Sequence, residues 1–123
     1  MRIYKVKPNI YPYEIKLLLC TLEEINKKYT KKGFTAVSGS DSCFFWCEED
    51  AEDFTIWLSS DVYFEQNLVN LVHESSHAII KYCEILGIAL DKDGESFTYL
   101  IDYIFGEFYK KLKVFYKNKS KNS

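Results

Sequence analysis

The 123-residue sequence predicts an α+β domain, with a small, mostly antiparallel sheet packed on a capped helix and two longer helices. Three observations carry that prediction. Two aromatic and β-branched runs, 43–47 and 54–58, flank a dense acidic turn in the manner of a hairpin. The stretch Thr21-Leu22-Glu23-Glu24 has the form of a capping box, with Thr21 as N-cap and Glu24 at N3. Two long stretches of helical apolar spacing, about 64–86 and 95–116, are joined by a short connection that begins with Gly87.

Taken in order, residues 1–7 form a short strand ending before Pro8, and Tyr11-Pro12 marks an extended entry to the next element. Residues 14–20 read as a strand that becomes more buried towards Cys20. The capped helix follows over about 22–31, with Leu22, Ile25 and Tyr29 on one side and Gly33 as its stop signal. Residues 35–42 are loop-like. The acidic turn at 48–53 lacks the spaced ligands and glycine of a calcium loop, so it reads as a solvated turn whose charge discourages edge-to-edge pairing.

The helix over 64–86 takes Asp61 as its expected N-cap and Gly87 as its stop. It is apolar around most of its circumference, which places it centrally in the domain. The exception is a polar stripe of Gln66, Asn70, His73, His77, Lys81 and Glu84. The last helix buries Phe97, Leu100, Ile101, Ile104, Phe108 and Leu112, and Gly106 inside it costs about 1 kcal/mol relative to Ala. Close packing against a neighbour is the expected reason for that glycine.

Composition bounds the function. A chain of this length, 47% hydrophobic and 17% aromatic, can bury a core without disulfides. The N-terminus lacks the apolar core of a secretory signal, so a cytoplasmic location and free thiols at Cys20, Cys43, Cys47 and Cys83 are expected. No apolar run is long enough to span a membrane. Residues 110–123 carry six lysines and no acid, against ten basic and eighteen acidic groups in the rest of the chain. Aromatic interleaving stops at Tyr116. Residues 1–113 are therefore read as one domain and residues 114–123 as a lysine-rich flexible tail, with neither nucleic acid nor membrane as partner.

The chemistry lies in the polar stripe. His73-Glu74-Ser75-Ser76-His77 is an H-E-x-x-H pattern that uses both histidines of the chain. On a helix His73 and His77 stand one turn apart on one face, while Glu74 is rotated by about 100°. Two imidazoles can thus share one ion with a carboxylate beside it, the pattern of a hydrolytic zinc site. One Zn2+ per chain is expected, with Glu74 as general base.

Two histidines leave such a site short of a protein ligand. In the extended motif with a bending glycine and a third histidine, the two slots are Ile80 and Cys83, so Cys83 reads as a core residue. Glu95 fits better, at the start of a following antiparallel helix, and Asp91 and Asp93 compete with it from the connection. Tyr99 and Asp102 share the face of Glu95 and are candidates for supporting contacts or for an ordinary polar face.

Through His73-Glu74-x-x-His77 and the later Glu95, the chain resembles the zincin-type metallopeptidases that use a glutamate ligand. It resembles more closely small proteins of tailed phages and prophages. That likeness rests on Val72-His73-Glu74-Ser75-Ser76-His77-Ala78, the Leu86-Gly87-Ile88 turn and the segment Asp93-Gly94-Glu95-Ser96-Phe97-Thr98-Tyr99-Leu100. It implies a zincin-like fold, bound zinc, phage origin and, if phage-encoded, the host cytoplasm. Many glutamate-ligand zincins carry Asp or Ala four residues after that glutamate, where this chain has Tyr99.

The expected function is a zinc metallopeptidase acting on a peptide or protein of host or phage, with the strand 54–58 binding an extended peptide and Trp57 either lining that groove or packed in the core. The alternative is a non-catalytic zinc-binding phage protein that docks onto a host factor. A metal-free helical core protein is the third reading.

Overall fold

The strands form where short runs are rich in apolar, β-branched and aromatic residues. In β2, Ile15–Cys20, Ile15, Leu17 and Leu19 point to one face of the sheet and Leu18 and Cys20 to the other, and all five are buried. A strand covered on both faces must lie inside a sheet. The computed structural model describes residues 1–8, 12–47, 54–88 and 95–121. It places β2 between β1 (Arg2–Val6) and β4 (Phe54–Ser59), with β3 (Ser42–Trp46) on the far edge, in the order β1-β2-β4-β3.

The sheet is mixed. β1 and β3 run antiparallel to their neighbours, whereas β2 and β4 pair in parallel from Ile15 opposite Phe54 to Cys20 opposite Ser59. A parallel pair needs a long crossover, and the chain between these strands supplies it with helix α1 (Leu22–Thr30) and β3. The expected strands are present, each within about a residue of its predicted bounds. The acidic turn 48–53 lies outside the described residues.

Each face of the sheet has its own helical cover. Ile25 and Tyr29 of α1 pack on Leu18, Cys20, Phe45 and Trp57. The longer helices α2 (Phe64–Leu86) and α3 (Glu95–Lys121) pack on Ile15, Leu17, Leu19, Phe54, Ile56 and Leu58. Each fully buried side chain of this size contributes roughly 1.5–3 kcal/mol. Trp57 is a core residue, fully buried, with its indole N–H donating to the Cys20 carbonyl at 3.0 Å.

The helix ends follow the local chemistry with one exception. The Thr21 hydroxyl accepts from the Glu24 N–H at 3.2 Å, and the Thr21 N–H donates to the Glu24 carboxylate at 3.1 Å, completing the capping box. Gly87 ends α2 at φ 69°, a left-handed conformation that glycine adopts without strain. At the start of α2, however, the N-cap is Tyr63 rather than Asp61, and no side chain caps it. The first turn is held instead by Asn67, whose buried amide donates to the Ser59 carbonyl at 2.8 Å and to the Tyr116 hydroxyl at 2.7 Å.

Three further expectations change. α3 does not stop near Tyr116 but runs to Lys121. Phe115 and Tyr116 pack on the core, the Tyr116 hydroxyl donates to the Val62 carbonyl, and Lys119 Nζ reaches the Ser60 carbonyl at 2.5 Å. Lysines at the C-terminal end of a helix also complement its dipole. α2 is not covered all round, since Val69, Val72 and Ile80 are 62%, 47% and 43% exposed. Gly106 has no close neighbour, because a Cβ added there would meet nothing within 4 Å.

Candidate metal centre

The burial of α2 sets the site. Asn67, Leu71, Glu74, Ser75, Ala78, Ile79, Tyr82 and Cys83 turn inward, a spacing of three and four residues that defines one helix face. Glu74 is the charged member of that face and is only 6% exposed. His73 and His77 lie at the rim of the same face and are exposed.

A buried carboxylate needs a donor, and β3 provides one. The Ser42 hydroxyl donates to Glu74 Oε2 at 2.6 Å, a charge-assisted bond between the first residue of the edge strand and the middle of α2. Nothing local to residue 42 announces this role in the sequence, where it closes a loop-like stretch. The contact arises because α2 packs across β3 and β4.

The two imidazoles converge. Nε2 of His73 and Nε2 of His77 are 3.1 Å apart, with ring planes at 79°. Two nitrogens each about 2.0–2.1 Å from one tetrahedral zinc stand about 3.3 Å apart, so the pair is spaced to share an ion with little rearrangement. A neutral pair can also share a proton as N–H···N at this distance. Ligand atoms of His73, Glu74 and His77 all lie within 4.8 Å of one another, and together they can hold a metal ion.

The remaining candidate residues lie elsewhere. Glu95 is the exposed first residue of α3 and is not part of that three-residue group. Asp91 and Asp93 lie outside the described residues. Tyr99 and Asp102 line a groove of about 330 Å3 on α3 with Tyr103, Gly106, Glu107 and Lys110. A different groove, of about 440 Å3, runs between β3 and α2 and holds Glu74 and His77 together with Ser42, Phe44, Ile80 and Lys81.

Cys43 also lines this groove; burial pushes its thiol above the ordinary range and the Glu74 carboxylate adds to the effect. Cys83 is fully buried in the core, and all four cysteines are free. β4 is an interior strand with every residue buried, so it cannot accept an added peptide strand. Among the described residues, the sheet edge beside the His73-Glu74-His77 group belongs to β3.

Among the described residues no helix is long and apolar enough to cross a membrane. The chain matches no protein-family model, no curated protein and no solved structure.

Proposed function

We propose that this protein is a zinc-dependent hydrolase of peptide bonds, zincin-like and of phage or prophage origin. The observation that carries the reading is the convergence of the His73 and His77 nitrogens, 3.1 Å apart, beside a buried Glu74 carboxylate in an open groove. The donor set suits zinc, which prefers neutral imidazole with a carboxylate nearby. Bound there, zinc would supply Lewis acidity towards a carbonyl and towards water.

This chain's residues would then have separate tasks. His73 and His77 hold the ion, and Glu95 is proposed as the third protein ligand, brought in from the start of α3. Glu74 takes the proton from the attacking water, and Ser42 fixes which of its oxygens faces the groove. An extended peptide would lie along the free edge of β3, where main-chain hydrogen bonds can hold it. A zincin-like relationship is supported by the packing of the H-E-x-x-H helix on a mixed sheet next to an antiparallel edge strand.

The test is zinc content alongside cleavage of a peptide library. His73→Ala and His77→Ala should each lose zinc, while Glu74→Gln should keep it and lose turnover. One zinc per chain in His73→Ala would refute the ligand assignment, and zinc loss in Glu74→Gln would make Glu74 a ligand rather than a base. A second reading, a metal-binding protein that docks on a partner without cleaving it, is favoured by the exposed Val69, Val72 and Ile80 on α2. Full zinc occupancy with no cleavage of any library peptide would select it.

A further inference from the structure

The groove beside the histidines carries a cation that the hydrolase reading leaves without a task. Lys81 lies one helical turn beyond His77 and lines the same groove as Glu74 and His77. One turn is about 5.4–6 Å along the axis. The ammonium of Lys81 is held 4.5 Å from the centroid of the Trp46 ring, at the far end of β3. The strand and the helix thus run alongside in the same sense, with Ser42 against Glu74 at one end and Trp46 against Lys81 at the other.

The ammonium is placed but not used up. Its carboxylate neighbour is Glu84, at 3.4 Å, and the Glu84 side chain is 65% exposed. Exposed pairs of this kind are weak and are readily exchanged for a better partner. The contact with the tryptophan ring orients the amine without satisfying its three donors. Around it the groove offers apolar surface from Phe44 and Ile80, and the described lining holds no other cation.

Resting on the hydrolase reading above, we infer that Lys81 makes this groove selective for a substrate carrying a carboxylate about one residue from the scissile carbonyl. A residue step in an extended chain is about 3.3–3.8 Å, so a carboxylate on the neighbouring residue falls within reach of an amine one helical turn from His77. The carboxylate has two sources. An aspartate or glutamate side chain lies there on the amino side of the scissile bond if the peptide pairs antiparallel with β3. The C-terminal carboxylate lies there if the peptide pairs in parallel.

The test uses zinc-loaded full-length protein, with zinc content measured first. Four peptide hydroxamates serve as probes, since the hydroxamate binds the metal whether or not the protein turns over. One pair carries the hydroxamate at the peptide's C-terminus and differs as glutamate against glutamine on the amino side; the other carries it on an N-terminal acyl group and differs as C-terminal acid against amide. The acid member of one pair should bind about tenfold tighter than its neutral twin, the scale of one charge-assisted hydrogen bond. Whichever pair shows the preference identifies the source of the carboxylate.

The preference should fall to about twofold or less in Lys81→Gln, persist in Lys81→Arg and reverse in Lys81→Glu. Equal binding of acid and neutral twins to zinc-loaded wild type overturns the role of Lys81 alone. So does an undiminished preference in Lys81→Gln. Absence of zinc from the wild type, with no probe bound, overturns the metal reading and this inference with it.

Discussion

Replacing Ser42 by alanine tests whether the edge strand holds Glu74. The Ser42 Oγ to Glu74 Oε2 distance of 2.6 Å is that of a strong hydroxyl–carboxylate bond, and Glu74 is 6% exposed, so water does not easily replace the lost donor. A hydrogen bond to a charged group is worth about 1.5–3 kcal/mol net. Ser42→Ala should therefore destabilise the metal-free protein by about 2 kcal/mol, read as a lower urea midpoint with unchanged slope. The same substitution in a Glu74→Ala background should cost close to nothing, because the hydroxyl is half-buried and can turn to solvent. The coupling energy from that double-mutant cycle is the quantity of interest. A cost below about 0.5 kcal/mol, or an equal cost in both backgrounds, would refute the argument, since neither fits a donor spent on one carboxylate. Ser42→Thr, which keeps the hydroxyl, should recover most of the loss. Zinc content should stay the same in Ser42→Ala, because serine contributes no ligand.

Other consequences follow from the same structure. Gly106→Ala should raise stability by about 0.5–1 kcal/mol in urea unfolding, since the added Cβ meets nothing within 4 Å and the helix gains a better former. Ser75→Ala should also stabilise, by about 1 kcal/mol, because the buried Ser75 hydroxyl has no hydrogen-bond partner among the described residues. Burial, aided by the charge of Glu24, pushes the Cys20 thiol up to about 11 from an ordinary 9.0. The unfolded chain then ionises first, so stability should fall as pH rises from about 9 to 11, and urea midpoints of Cys20→Ala should lack that part of the slope. The zinc proposed above should be released on dialysis from about pH 7.5 to about pH 5, because protons compete with a metal ion for its nitrogen ligands.

Local chemistry made much of the molecule legible. The capping box needs only Thr21 and Glu24, three residues apart, and it formed. Runs rich in apolar and β-branched residues marked β2 and β4, and Gly87 marked the end of α2 because a left-handed residue there costs glycine nothing. The spacing of His73 and His77 is a property of any helix, so their convergence could be read before any tertiary contact was known.

What the sequence could not supply was which elements meet. The parallel pairing of β2 with β4 buries the strand expected to bind peptide and leaves β3 at the edge, a result of long-range pairing that no local pattern encodes. Ser42 became the donor to Glu74, and Trp46 the platform for Lys81, only because α2 packs alongside that edge strand. The lysine-rich end stayed helical because Phe115 and Tyr116 pack on the core, with the Tyr116 ring against Phe64 and its hydroxyl on the Val62 carbonyl. Covalent spacing along one helix determined the two imidazoles; the packing of that helix on the sheet decided everything that surrounds them.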